Sequence, residues 1–333
     1  MSDLPRTRLG YTDMSITRVG FGAWAIGGPG WETAWGDQDD ADSIAAIHRS
    51  VAAGINWIDT APIYGLGHSE EVVAAALAGI PASDRPYVFT KCALIWDEHD
   101  RMAAPRRTLE RLRWQVEWSL RRLRVDVLDL LQVHWPPLEG PSMDEGWQAV
   151  RDLVADGLVR AVGVSNYSVA QLTAAEKIGH VDTLQPPLSL LRRDVTAAEV
   201  PWCAEHETGV IVYSPMESGL LSGRFTAERA AALEPGDWRS RAPEFTGARL
   251  AANLALVDRL RPIAGRHGVS VGAISIAWTL AWPGVTAAIV GARRPEQVDG
   301  WLAAADLRLD DADLAEIEAA LRETGVGSGP LRP

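Results

Sequence analysis

Short apolar runs rich in β-branched residues recur along the chain at 19–21, 55–58, 87–90, 125–133, 159–164, 181–184, 210–213 and 285–290. Runs of that length and composition predict buried strands. Between them apolar positions fall at helical spacing over 42–53, 70–78, 106–122, 143–155, 169–178, 196–206, 250–266 and 295–304. Local signals agree with several boundaries. Gly54, Gly79, Gly157 and Gly209 stand where the chain leaves a helix, Pro295 opens one, and Ser69 is expected as an N-cap with Glu70 and Glu71 behind it. A parallel return needs a long crossover, so eight strand–helix alternations predict an α/β fold closed as a (β/α)8 barrel.

The remaining pattern decorates that barrel. Residues 8–18 alternate like an N-terminal β-hairpin able to plug the floor, and two extra helices are expected in the C-terminal half, at 271–282 and 310–321. Segment 216–247, with Gly219, Gly223, Pro235, Gly236 and Pro243, is too long for an idle connection and predicts a lid or binding loop. The whole of 1–333 reads as one domain, with 325–333 as a flexible tail. Gly20-Phe21-Gly22-Ala23-Trp24-Ala25 fits a dinucleotide fingerprint by letter. The glycine- and proline-containing run 26–30 cannot start the helix such a fingerprint needs, so it reads as a glycine-rich strand end.

Composition narrows the partners. With 32 Lys+Arg against 44 Asp+Glu the net charge is −12, and no dense basic cluster offsets it, which argues against nucleic acid and anionic membrane surfaces. No uninterrupted apolar stretch reaches the roughly 18 residues of a membrane span. Cys92 and Cys203 lie far apart without CxxC or His-rich spacing, predicting neither disulfide nor metal site and fitting a reducing, cytoplasmic setting.

In a barrel of this kind chemistry sits where strands end. The strand at 55–58 runs into Asp59, Thr60 and, five residues beyond Asp59, Tyr64. The strand at 87–90 runs into Lys91, and that at 125–133 into His134 and Trp135. Lys91 and His134 each interrupt an apolar run, where a charge or ring is costly without partners. A lysine ammonium near a phenol is expected to lower its pKa and make Tyr64 a tunable acid, with Asp59 pairing Lys91 and His134 orienting a substrate oxygen. Singly, each has a bland alternative as a cap, a solvated charge or a core ring. No nucleophile–base pair or ligand cluster competes, leaving proton transfer at oxygen coupled to hydride transfer at carbon.

The segment 54–65 (GINWIDTAPIYG), followed by Thr90-Lys91 and Val133-His134, resembles the aldo-keto reductases, and the resemblance spans essentially the whole chain. It implies a tetrad of Asp59, Tyr64, Lys91 and His134 with Tyr64 as proton donor in NAD(P)H-dependent reduction of an aldehyde or ketone. It also implies a cofactor site of Trp24, Ser165, Asn166, Gln185, Tyr213, Ser214, Met216, Arg224, Gly291, Arg293 and Gln297. Within it Ser165, Asn166 and Gln185 meet the carboxamide, Tyr213 the nicotinamide ring, and Arg293 the 2′-phosphate. NADPH (NADP+) is the expected cofactor. NADH is the alternative, because Gln297 stands where many members carry arginine and Trp301 where an asparagine is expected.

The substrate wall is expected from Trp24, Trp96 and Trp135, a flat-sided pocket for a small carbonyl compound or sugar. No charged residue there calls for an anion, while Trp114, Trp118 and Trp278 are assigned to core packing. Oxidation of a sugar or alcohol, or service as a cofactor-binding regulatory subunit, are the competing functions.

Overall fold

The computed structural model describes residues 4–333; the first three residues of the expected 1–333 domain lie outside it. Eight parallel strands close a barrel: β1 (Val19–Gly22), β2 (Trp57–Asp59), β3 (Tyr87–Cys92), β4 (Leu128–Val133), β5 (Val159–Ser165), β6 (Thr183–Gln185), β7 (Gly209–Val212) and β8 (Val285–Gly291). They pair in chain order, with β8 against β1 closing the ring. Helices cover the outside, and apolar side chains such as Val19, Ile58, Val88 and Leu131 are buried against them.

The lumen is a second core. Trp57, Phe89, Leu130, Ala161, Ile211, Ala287 and Ile289 fill it together with Leu9, Met14 and Ile16 from below. These last three belong to the N-terminal hairpin, where Arg6–Arg8 pairs antiparallel with Ser15–Thr17. Asn56 fastens it, its side chain accepting from Thr17 N at 2.8 Å and donating to Ser15 O at 2.8 Å. The hairpin turn at Gly10 (φ +53) presses so close to the barrel that a Cβ would stand 2.4 Å from Gly209 N.

The fingerprint-like glycines of β1 serve packing. A Cβ on Gly20 would fall 2.1 Å from the Trp57 ring, and the chain leaves β1 through a 3-10 turn at Trp24–Ile26, with no helix to face a pyrophosphate. Gly20→Ala is therefore expected to destabilise the protein by about 1–3 kcal/mol through overpacking. Urea unfolding measures it, and an unchanged midpoint would contradict the tight lumen.

Several boundaries differ from the sequence reading. The helix expected at 106–122 begins only at Leu112, because Arg106–Arg107 instead pairs antiparallel with Leu94–Ile95. Gln115 holds the turn between, accepting from Ala93 N at 2.9 Å and donating to Glu110 O at 2.9 Å. The run at 196–206 splits into a 3-10 turn, Asp194–Thr196, and a short helix, Glu199–Glu205. Ser69 does not cap its helix, whose N-cap is Gly67; its hydroxyl donates to Ala23 O at 2.8 Å and bonds the Thr60 hydroxyl, tying the helix to the β1 exit. The extra helices are Val271–Leu280 and Asp311–Thr324. Residues 325–333, expected to be a flexible tail, lie against the barrel: Val326 is buried, its carbonyl accepts from Arg193, and Ser328 O accepts from Arg193 N at 2.9 Å.

Candidate functional site

The C-terminal strand ends place four polar side chains at the floor of a cavity of about 580 Å³. Asp59 ends β2, Lys91 lies one residue before the end of β3, and His134 follows β4. Tyr64 reaches them from a turn (Tyr64–Gly67) after β2. That turn is fixed by backbone crowding: Gly65 (φ +65) touches Gly27 so closely that a Cβ would stand 1.9 Å from Gly27 O.

Lys91 Nζ donates to Asp59 Oδ1 at 2.5 Å, to Thr60 O at 3.0 Å and to Tyr64 Oη at 3.4 Å. Gln185 Nε2 donates to the other Asp59 oxygen at 2.8 Å and to Gln132 Oε1 at 2.7 Å. The His134 ring meets the Tyr64 ring edge-on, with centroids 5.7 Å apart. Burial works against the charge on both members of the Asp59–Lys91 pair, and each is opposed by the other's field.

Tyr64 corrects the sequence reading. Its phenol is raised well above the ordinary value, first by burial and then by Asp59, because Lys91's charge is already answered by that carboxylate. It stays protonated at neutral pH. His134 is held well below its usual value by burial and by Lys91, so its imidazole is neutral. A protonated phenol and a neutral imidazole thus face one spot, flanked by an ammonium that can polarise the phenol oxygen.

Beside them, Asn166 and Ser214 end their segments with left-handed backbones (φ 63° and 56°), conformations that cost energy and persist where neighbours enforce them. Asn166 Nδ2 donates to His134 O at 3.0 Å, and its Oδ1 accepts from Tyr213 Oη at 2.8 Å. Ser165 Oγ donates to Gln185 O at 2.7 Å. Trp24, Trp96, Trp135, Ser165, Asn166, Gln185, Tyr213 and Ser214 all line the 580 Å³ cavity.

A second cavity of about 290 Å³ continues from the first, with Gly22, Trp24, Ser214, Ser218 and Ile289 shared between them. Met216, Arg224, Gly291, Arg293 and Gln297 line it, together with Arg229 and Arg239. Four guanidinium groups beside glycine backbone suit a diphosphate or a ribose phosphate. The anticipated site residues therefore distribute along one continuous cleft.

Arg293 has a task the sequence did not reveal. Its Nε donates to Gln38 Oε1 at 2.5 Å and its Nη1 to Trp35 O at 3.3 Å, while Nη2 bonds Asp37 O. It thereby anchors the β1 loop. That loop also joins the segment after β7 across the cleft: Trp35 bridges Asp237, Trp238 N donates to Ala34 O at 3.1 Å, and Arg241 donates to Glu32 O at 3.2 Å. Arg239, paired with Asp237 through Nη2 at 2.5 Å, lies 4.5 Å over the Trp35 ring. Trp24, Trp35 and Trp238 pack on one another, with centroids 5.2–6.1 Å apart.

Other residues escaped the sequence reading. Gln132 continues the Asp59–Gln185 chain to Thr183. Glu70, fully buried, accepts from Thr90 at 2.7 Å and pairs with Arg122 at 2.6 Å behind Lys91. Gln132 interrupts the apolar run 125–133, a signal that could have found it, whereas Glu70 sits in the polar stretch 68–71 and reads as an ordinary first-turn acid. Trp278 is core as expected, but Trp114 and Trp118 are 41% and 39% exposed, on the helix face turned outward.

A model described as the aldo/keto reductase family matches residues 18–322. The aldo-keto reductase YhdN of Bacillus subtilis is 34% identical over 96% of this chain and 94% of its own. The NADH-specific methylglyoxal reductase of Escherichia coli is 32% identical over 92% and 94% respectively. Among solved structures, a glycerol dehydrogenase from Gluconobacter oxydans superposes with a TM-score of 0.86 at 36% identity, covering 98% of this chain and 97% of that one. Among the described residues no helix is long and apolar enough to cross a membrane.

Proposed function

The chain belongs to the aldo/keto reductase family, and from that premise we propose that it reduces an aldehyde or ketone to the alcohol, acting as one barrel domain in the cytoplasm. The observation that carries the reading is the buried contact of Lys91 Nζ with both Asp59 and Tyr64 beneath the cavity. A nicotinamide dinucleotide held along the cleft would supply the hydride. Tyr64 donates its proton to the carbonyl oxygen, which becomes the hydroxyl. Lys91 stabilises the tyrosinate left behind, and Asp59 with Gln185 keeps Lys91 aimed. Neutral His134 donates its N–H to the same oxygen and sets its approach. Ser165, Asn166 and Gln185 would hold the carboxamide, and Tyr213 would offer its ring to the nicotinamide. Trp24, Trp96 and Trp135 wall the substrate and exclude water.

NADPH is the cofactor we favour, supported by Arg224 and Arg229 in the lining of the second cavity. NADH is the alternative, supported by the name of the Escherichia coli relative. Reductive and oxidative assays with both dinucleotides over a panel of aldehydes, ketones and polyols test the reading. Turnover with no member of the panel would reject it. Oxidation of a polyol is the second reading, favoured by the name of the Gluconobacter relative. Turnover only toward the carbonyl product would establish that direction.

Because Arg293 anchors the β1 loop, Arg293→Ala is expected to raise the Michaelis constants of NADPH and NADH together. Steady-state kinetics with each cofactor measures this. A rise confined to NADPH would instead assign the guanidinium to the 2′-phosphate.

A further inference from the structure

The excursion after β3 carries two adjacent arginines with opposite fates. In the antiparallel ladder Leu94 faces Arg107 and Ile95 faces Arg106, and side chains of successive ladder residues point to opposite faces. Arg106 points outward and is neutralised twice, by Glu139 at 2.6 Å and Glu110 at 3.2 Å. Arg107 points into the 580 Å³ cavity, its guanidinium 4.7 Å over the ring of Trp135, the residue next to His134. Among the described residues no carboxylate lies within 4.0 Å of it. The ladder leaves its backbone no freedom: Arg107 O accepts from Leu138 N at 2.9 Å, and Thr108 N donates to Ala93 O at 3.0 Å.

The rest of the wall does not cancel this charge. Glu217 is already paired, with Arg192 at 2.9 Å and with Ser189. Glu32 lines the cavity but is exposed to solvent, and Arg101, also lining it, donates to Gly30 O at 3.2 Å. In a chain of net charge −12, a guanidinium that lines the cavity over an indole ring and has no carboxylate partner keeps its donors for an oxyanion.

We propose that Arg107 is a specificity-determining residue that receives an anionic group, carboxylate or phosphate, carried by the carbonyl substrate at the end away from the reacting carbon. The inference rests on the carbonyl-reductase reading and names its substrate class: short aldehydes or ketones bearing one oxyanion. Trp135 holds the guanidinium plane and the aliphatic stretch of the substrate, while Tyr64 and His134 take the carbonyl oxygen.

The test compares kcat/KM for matched pairs, 4-oxobutanoate against butanal and glyceraldehyde 3-phosphate against glyceraldehyde, in the wild type, Arg107→Met and Arg107→Lys. The wild type is expected to favour an anionic member, and the pair showing the preference identifies carboxylate or phosphate. In Arg107→Met the anionic-to-neutral ratio is expected to fall about 10- to 100-fold, the worth of one charge-assisted hydrogen bond. Arg107→Lys, which keeps the charge and loses the fork, should fall between. Each ratio is taken on one preparation, so partial misfolding cancels.

A wild type that prefers the neutral members, or a ratio unmoved by Arg107→Met, overturns the inference and leaves the reductase reading intact. Absence of turnover with all four aldehydes overturns that reading instead. Calorimetric titration of succinate and of inorganic phosphate then decides the seat: saturable binding lost in Arg107→Met retains it, and no binding removes it.

Discussion

Tyr64→Phe is expected to lower carbonyl reduction by about 10²- to 10⁴-fold, the range for loss of a positioned general acid. Only one oxygen is removed. The ring stays packed against Trp31 and His134, with centroids 6.2 and 5.7 Å away, so the cavity and dinucleotide affinity are expected to persist. Single-turnover reduction and fluorescence titration of the cofactor separate the two effects. Wild-type turnover in the variant would remove Tyr64 as proton donor, whereas lost affinity would make it a binding residue.

The pH profile adds a sign. Burial and Asp59 hold the phenol well above its usual value, so the proton is present throughout the neutral range. The reductive kcat is then expected to be flat until strongly alkaline pH, falling only as the phenol ionises. Oxidation needs the tyrosinate, so its rate is expected to climb with pH over the same range. A reductive rate that dropped near neutrality would mean that Lys91, and not burial, dominates the phenol.

Asp59→Ala carries the largest expected stability effect, about 3–5 kcal/mol, because it leaves the Lys91 ammonium buried without its counter-charge. Lys91 is fully enclosed and Asp59 nearly so; water cannot take over the role of the missing partner. The double variant Asp59→Ala/Lys91→Met removes both charges and is expected to regain more than half of the loss. Urea unfolding of the wild type, both single variants and the double variant measures the coupling. Additive losses would show that the two side chains stabilise the fold independently, contrary to their 2.5 Å contact.

The alternation of apolar periods made the barrel readable, since most strands are short apolar runs separated by helical stretches. Asp59, Lys91 and His134 were readable for the converse reason: each is a polar group ending a run that otherwise seeks burial. The reversed shift of Tyr64 was not readable, because its sign depends on whether Lys91's charge is free or answered, a matter of ångströms. The start of the helix at Leu112 was hidden because Arg106 and Arg107 spend their backbone on Leu94 and Ile95, a pairing that periodicity does not register. Trp114 and Trp118, four residues apart, mimic a buried stripe, yet Arg111 and Arg121 cover their rings from outside at 4.6 and 5.1 Å. The anchoring role of Arg293 involves partners more than 250 positions away.

The crossing of the β1 loop over the segment after β7 imposes an order on events. A dinucleotide held along the cleft would pass under the joined Ala34–Trp238 and Glu32–Arg241 contacts, so its exchange is expected to need that crossing to part.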